Sequence, residues 1–317
     1  MSKILVIAES SGPHLTTSTL EVCQAAFNLA TSIKGSWSIL VDECAANAAV
    51  RIAPDVISCP MGEDEAQSPG LWASIVVKTA GSADILIMAA TSTGKDVMGR
   101  VAQLFNAPLA QDCTGVQVDS DSVIFRRELY GGKVIAKTKL TAKPTLATFR
   151  PRSITPISPS NTLVEATSCP VHNFIPKAKV TLQARFGDER PDVTEASIVV
   201  SGGRGLRGPE NWHILEDLLD ALGPNAALAC SRPVSDENWR PHHEHVGQTG
   251  RAIAPDLYIA VGISGAIQHV AGIARSKCIL AINKDRDAPI FQIADYGIVG
   301  DLFEVVPALT AAIREAA

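Results

Sequence analysis

The chain has 317 residues, 46% of them hydrophobic and 19% charged, with a formal net charge of −5. At about 150 residues per domain this length predicts two domains, and the apolar content excludes disorder as the dominant state. The acidic balance, with only 5% aromatic residues, provides neither a phosphate-neutralising surface nor a base-stacking platform, so no nucleic-acid partner is expected.

In chain order, the apolar run Ile4 to Ala8 predicts a buried strand. Ser18 to Ile33 has helical apolar spacing, with Thr16 to Ser18 as candidate caps. Strands are predicted at Ser36 to Val41, Asp55 to Ser58 and Asp84 to Ala90. Helical patterns fall between and after them at Ala45 to Ile52, Gly70 to Ala80 and Asp96 to Phe105. This alternation predicts a parallel sheet with helices on its faces. Four strand-like segments then follow without helices: Gly115 to Val118, Val123 to Glu128, Lys133 to Thr141 and Thr145 to Phe149. They predict an antiparallel extension, with a hairpin turn at Tyr130-Gly131-Gly132.

Residues 151–178 show little periodicity. After a strand-like Lys179 to Ala184 comes the charged, proline-containing stretch Phe186 to Thr194, which marks a domain boundary. The predicted domains are 1–186 and 187–317. The second restarts the strand–helix rhythm: strand Ala196 to Ser201, helix Pro209 to Leu222 ended by Gly223-Pro224, and strand Ala226 to Cys230. Strands Leu257 to Val261, Cys278 to Ile282 and Gly297 to Val299 follow, and helix Leu302 to Glu315 closes the chain. The fold class is α/β, with two mostly parallel sheets flanked by helices. The seven scattered cysteines contain no C-x-x-C pair and are expected to be reduced thiols, without a disulfide framework or zinc site. No apolar run reaches the roughly 18 residues of a membrane span, and no signal peptide precedes Ile4; a cytoplasmic protein is expected, or a matrix protein freed of its presequence.

Chemistry-bearing motifs concentrate in the second half. Gly203-Arg204-Gly205-Leu206-Arg207-Gly208 satisfies G-x-G-x-x-G between a strand and a helix, where backbone approaches a pyrophosphate; as a lone motif it is equally a tight turn. The second strand ends at Ser231-Arg232, where an arginine in place of an acid suits a ribose 2′-phosphate, so an NADP enzyme is one reading. Val246-Gly247-Gln248-Thr249-Gly250 is either an ordinary turn or a loop aimed at a polar ring edge. Tyr258 to His269 runs a buried strand into a glycine elbow and a helix start, with small residues leaving amides accessible to an anion. His269 in that helix is either solvent-facing or a ligand group. Asn283-Lys284-Asp285 and Asp295 to Asp301 end the last strands, as ligand contacts or as loop caps. His242-His243-Glu244-His245 lacks the phasing and the further ligands of a metal site. Thr93-Gly94-Lys95-Asp96 lacks the first glycine and the Ser/Thr of a P-loop. No nucleophilic triad is present in the pattern.

Taken together and in order, Ser201 to Gly205, Ser231-Arg232, Val246 to Gly250, Leu257 to His269, Ala281 to Asp285, Ala288 to Gln292 and Ala294 to Val299 with Asp301-Leu302-Phe303 resemble the alpha subunit of electron transfer flavoprotein. The likeness covers residues 196–317 closely. It covers the first half more loosely, through Gly94-Lys95-Asp96 with Arg100, and through Val180 to Arg185. The resemblance implies a Rossmann-like FAD-binding second domain and a first domain that is a scaffold with a nucleotide-hydrolase-like fold. It implies a beta-subunit partner that completes the site and holds AMP. It further implies an electron carrier, without substrate chemistry of its own, between acyl-CoA and similar flavin dehydrogenases and a membrane quinone oxidoreductase, with an electron-bifurcating paralogue as the alternative.

Site roles follow from the same resemblance. Arg232 would lie against the isoalloxazine and Ser231 at its polar edge. Thr249, with Gln248, would approach flavin N5 and its neighbours, and Val246 and Gly247 would belong to the same cofactor-binding loop. His269 would donate to flavin O2, and, if protonated against the positive helix start, would be a second cation with Arg232 favouring an anionic reduced flavin. Ser264, Gly265, Ala266, Ile267 and Gln268 would hold the pyrophosphate. Arg204, Asn283 and Asp301 would serve the phosphate and adenosine half. Trp239 and the run from His242 to His245 depart from the family pattern.

Overall fold

The computed structural model describes residues 2–61, 68–119, 122–130, 132, 134–160, 163–169 and 190–316. The chain divides into two compact units, Met1–Ala184 and Arg185–Ala317. The expected strand Lys179 to Ala184, the likeness at Val180 to Arg185 and the predicted boundary between 186 and 187 lie outside the described residues.

In the first unit the elements are β1 (Lys3–Ile7), the short ribbon β2 (Ser10–Ser11) and β3 (His14–Leu15), α1 (Thr17–Ser32), β4 (Ser36–Asp42), α2 (Ala46–Ala49) and β5 (Val56–Cys59). They continue with α3 (Pro69–Thr79), β6 (Ile85–Ala89), α4 (Ser92–Phe105), β7 (Leu109–Asp119), β8 (Ser122–Leu129), β9 (Val134–Lys139), β10 (Thr145–Phe149) and β11 (Ala166–Ser168). The sheet order is β11-β5-β4-β1-β6-β10-β7-β8-β9. Alternate β1 residues serve opposite faces. Ile4 and Val6 pack with α1, whereas Leu5 and Ile7 pack with α3 and α4. That two-sided burial is what a parallel strand covered by helices requires.

Three readings change here. β10 is not part of the antiparallel extension: it runs parallel between β6 and β7, and only β7–β8–β9 form an antiparallel meander. The reason is burial, since Leu146 to Phe149 are buried on both faces while β8 and β9 keep half-exposed positions. The short β11 adds a strand where no periodicity predicted one. By pairing with β5 it brings Cys169 beside Cys59 with 5.3 Å between Cα atoms, and the two form a disulfide in place of the expected reduced thiols. Spacing along the chain could not announce this pair, because a strand pairing created it. Finally, α4 begins at Ser92 rather than Asp96, because the Thr91 hydroxyl accepts the Gly94 amide and caps the helix.

The second unit contains β12 (Ile198–Gly202), α5 (His213–Leu222), β13 (Ala226–Cys230), the short α6 (Arg232–Asp236), β14 (Leu257–Val261), α7 (Ile267–Ile273), β15 (Ile279–Asn283), β16 (Tyr296–Val299) and α8 (Leu302–Ala316). All its pairings are parallel, in the order β13-β12-β14-β15-β16. This is a doubly wound sheet whose connections diverge between β12 and β14. Val199, Tyr258 and Ala260 face α7; Val200, Ile259 and Val261 face α5 and α8. The predicted helix from Pro209 resolves into a 3-10 turn, Pro209–Trp212, followed by α5.

α5 carries Leu215, Leu218 and Leu219 inward at helical spacing. Truncating Leu215, which is fully buried, to alanine should cost about 2–5 kcal/mol through lost contacts and an unfilled cavity. Urea unfolding of Leu215→Ala should show the loss in the transition of the second unit; an unchanged midpoint would contradict this packing.

Candidate functional site

A parallel sheet delivers every strand's carboxyl end to one edge, and ligands of open α/β sheets bind there. In the second unit that edge gathers the expected residues. Arg204 follows β12, Ser231 and Arg232 follow β13, Ser264 to Gln268 follow β14, Asn283 ends β15 and Asp301 follows β16. The segment from Val246 to Thr249 joins them because the Val246 amide donates to the Cys230 carbonyl at 3.0 Å. Its other flank rests on α7, where the Gln248 amide donates to the Gln268 carbonyl at 2.7 Å.

At the centre the loops after β12 and β14 meet backbone to backbone. The Gly203 amide donates to the Val261 carbonyl at 2.9 Å and the Gly205 amide to the Gly262 carbonyl at 3.1 Å. A Cβ on Gly203 would stand 2.2 Å from the Gly262 oxygen, and Gly262 itself has a positive φ of +62°. The glycines of this motif therefore have a packing reason, independent of any ligand. Arg204 is exposed in the 3-10 turn that follows.

Around this centre the side chains differ in how free they are. Gln248, Thr249, Ser264, Ala266, Ile267 and Gln268 are exposed, whereas Val246, Gly247 and Gly265 are buried. Ser231 is buried at the N-cap of α6, with its side chain making no cap hydrogen bond. Arg232 is 61% exposed and pairs with Asp236 at 3.2 Å. Asn283 donates to the Ile263 carbonyl and accepts from the Asp285 amide. Asp301 accepts the Phe303 amide at 3.0 Å and pairs with Arg207, whose guanidinium lies 4.9 Å from the Phe303 ring centroid. Gly205, Arg207, Gly262, Asn283, Lys284, Asp301 and Leu302 line a cavity between these loops. Arg207 and Lys284 were not singled out from the sequence, although both lie inside motifs that were.

His269 departs most from expectation. It faces inward from α7, 7% exposed, with Nε2 2.8 Å from the hydroxyl of the fully buried Tyr258. Nδ1 has no partner at hydrogen-bond geometry. Burial pushes its pKa down to about 4, with the neighbouring His245 lowering it further and the Val246 carbonyl opposing. At neutral pH it is therefore a neutral imidazole, which corrects the expected second positive charge. His245 is also buried with an unpartnered Nδ1, and burial together with His242 lowers its pKa. Among the described residues no cluster of three or more His, Cys, Asp or Glu residues is placed to hold a metal ion. No helix among them is long and apolar enough to cross a membrane.

The family described as "Electron transfer flavoprotein FAD-binding domain" matches residues 192–274, and "Electron transfer flavoprotein domain" matches residues 4–176. The electron transfer flavoprotein subunit alpha of Paracoccus denitrificans is 44% identical over 75% of this chain and 75% of its own length. The subunit alpha of Pseudomonas aeruginosa is 38% identical over 98% of this chain and 99% of its own. The mitochondrial subunit alpha of Arabidopsis thaliana is 36% identical over 98% and 89%.

Two outcomes follow from this geometry. Gly203→Ala should lower the melting temperature of the second unit, because the added methyl must displace the Gly262 peptide; an unaltered Tm would show that the loops separate freely. His269, whose folded pKa lies below the ordinary histidine value, makes stability rise with pH. The unfolded chain binds the extra proton, so roughly 3 kcal/mol is lost as pH falls from about 6.5 towards 4, with no further loss from this group below that. His269→Gln should flatten that part of the stability profile measured by denaturant titration. An identical profile would place His269 in contact with water.

Proposed function

The chain belongs to the electron transfer flavoprotein alpha-subunit family, and from that premise we propose that it holds FAD along the carboxyl edge of its second sheet and relays electrons taken from flavin dehydrogenases. Membership makes it an electron-carrier subunit with an FAD-binding domain and a beta subunit as heterodimer partner. The finer reading is that acyl-CoA and similar dehydrogenases are the donors and a membrane quinone oxidoreductase the acceptor. In that reading AMP sits in the beta subunit, and the complex works in the cytoplasm or the mitochondrial matrix.

The single observation that carries the placement is the convergence on one edge of exposed arginines, short polar side chains and a buried imidazole with an unpartnered nitrogen. That donor set suits a dinucleotide: cations and loop amides for the phosphates, hydrogen-bonding groups for a polar ring edge. FAD, when bound, supplies the redox chemistry. The chain's own residues bind and orient it. Ser264 to Gln268 and Arg204 serve the pyrophosphate, Gln248, Thr249 and Ser231 the ring's polar edge, and His269 the O2 carbonyl. Asn283 and Asp301, already engaged in fixing their loops, present what remains of their polar groups to the adenosine half. Arg232 keeps a permanent positive charge beside the ring, which favours any state in which negative charge builds up there.

Arg232 is exposed and ion-paired, so its contribution is modest, about 1 kcal/mol. For one electron this corresponds to roughly 40 mV. Redox titration of the FAD-loaded heterodimer should find the first potential of Arg232→Ala lowered by that order, with FAD retained and part of the shift recovered in Arg232→Lys. A heterodimer that purifies without FAD defeats the functional reading itself, while an unshifted potential removes only Arg232 from the ring.

A further inference from the structure

The segment from Val246 to Thr249 starts where the preceding loop ends, so whatever fixes that loop fixes the segment. Between the end of α6 at Asp236 and Val246 the chain forms one 3-10 turn, His242–Glu244, and no longer element. Such a stretch keeps one conformation only where it is tied to something rigid. The Trp239 amide supplies a first tie, donating to the Val234 carbonyl at 3.0 Å. Ser235 and His242 supply a second, with Oγ and Nδ1 2.7 Å apart. Both lead back only to α6, a helix of five residues.

Arg240 makes a tie of another kind. Its Nε and Nη2 donate to the two carboxylate oxygens of Glu244, both at 2.7 Å, in a planar fork. Its Nη1 donates to Glu216 of α5 at 3.2 Å, and the guanidinium carbon lies 5.5 Å from the ring centroid of Trp212, just before that helix. α5 is itself fastened in the core by Leu215, Leu218 and Leu219. Arg240 therefore joins the turn that carries Glu244 to a packed helix. Two residues beyond Glu244, the Val246 amide bonds to the Cys230 carbonyl and the chain enters the turn at Gln248 and Thr249. The two partners of the fork are unequal. The Glu244 side chain is 12% exposed, and among the described residues no cation other than Arg240 pairs with it. Arg240, 22% exposed, would still have the half-exposed Glu216 without Glu244. A carboxylate left without its cation at that depth must draw in water or turn outward, and either moves the turn it stands on.

We propose that Arg240 is a positioning residue for the cofactor: through Glu244 it fixes the start of the segment from Val246 to Thr249, and with it the groups that this segment presents to the flavin. Arg240 touches neither the ligand nor the segment itself. The run from His242 to His245, which departs from the family pattern, thereby has a mechanical role, with Glu244 as its anchor. The proposal rests on the reading that Gln248 and Thr249 meet FAD.

The test uses the FAD-loaded heterodimer and two readouts, amide-resolved hydrogen exchange and the rate of FAD release. Arg240→Met should speed exchange of the Val246, Gly247 and Gln248 amides and release FAD about tenfold faster, while the amides of β14 and β15 exchange as in the unsubstituted protein. Glu244→Gln should do less, because Arg240 keeps Glu216. Arg240→Met combined with Glu244→Leu leaves no buried charge behind and should recover most of both losses. Uniformly faster exchange across the second unit overturns the proposal, and so does a double variant as impaired as Arg240→Met, since Arg240 would then act through α5 alone. Faster loop exchange with unchanged FAD release also overturns it where Gln248→Ala and Thr249→Ala speed release. Where those two variants leave release unchanged as well, the reading that this loop meets the flavin fails and the proposal falls with it. Should Arg240→Met not fold, Arg240→Lys keeps the charge and loses the fork. It should show both effects in smaller measure, and the absence of both overturns the proposal.

Discussion

The contact that organises the second unit is the approach of Gly203 and Gly205 to Gly262. It is a backbone contact between the loops after two adjacent parallel strands, made possible because none of the three carries a side chain. Because β12 and β14 are neighbours there, the connections from their ends diverge to opposite faces of the sheet, α5 on one and α7 on the other. Everything assigned to the ligand lies around that divergence. The Val246 to Thr249 loop is held to it from both flanks, by the Cys230 carbonyl and by the Gln268 carbonyl.

Charge at this edge is decided by depth. Arg232 stands in water with Asp236 as a partner and keeps its charge. His269, a few elements away, is buried under the same loop and loses its charge at neutral pH. A single exposed cation and a buried neutral imidazole are a different electrostatic environment from the two cations that the residue types alone suggest. It costs less to desolvate.

The first unit also has a parallel sheet core, and at the start of α4 its own side chains meet the helix amides. The Gly94 amide at the start of α4 is taken by Thr91, and the Thr91 hydroxyl bonds to Glu9 at the end of β1. Thr91 thereby links the positive start of α4 to the Glu9 carboxylate.

Much of this was legible in the residues. Runs such as Ile4 to Ala8 and Leu257 to Val261 read as buried strands because a strand covered on both faces must be continuously apolar. The amphipathic spacing of Leu215, Leu218 and Leu219 marked a helix packed on one side. The loop motifs marked an edge because glycines and short polar residues cluster where chain ends converge. Local pattern determines local structure, and here it marked the loops that converge on one edge of the second sheet. Three facts lay beyond it: the parallel placement of β10, the Cys59–Cys169 pair and the burial that keeps His269 neutral. Each depends on which distant segment comes to lie alongside. Burial and hydrogen-bond partnership are properties of the packed chain, so only the tertiary structure could decide them.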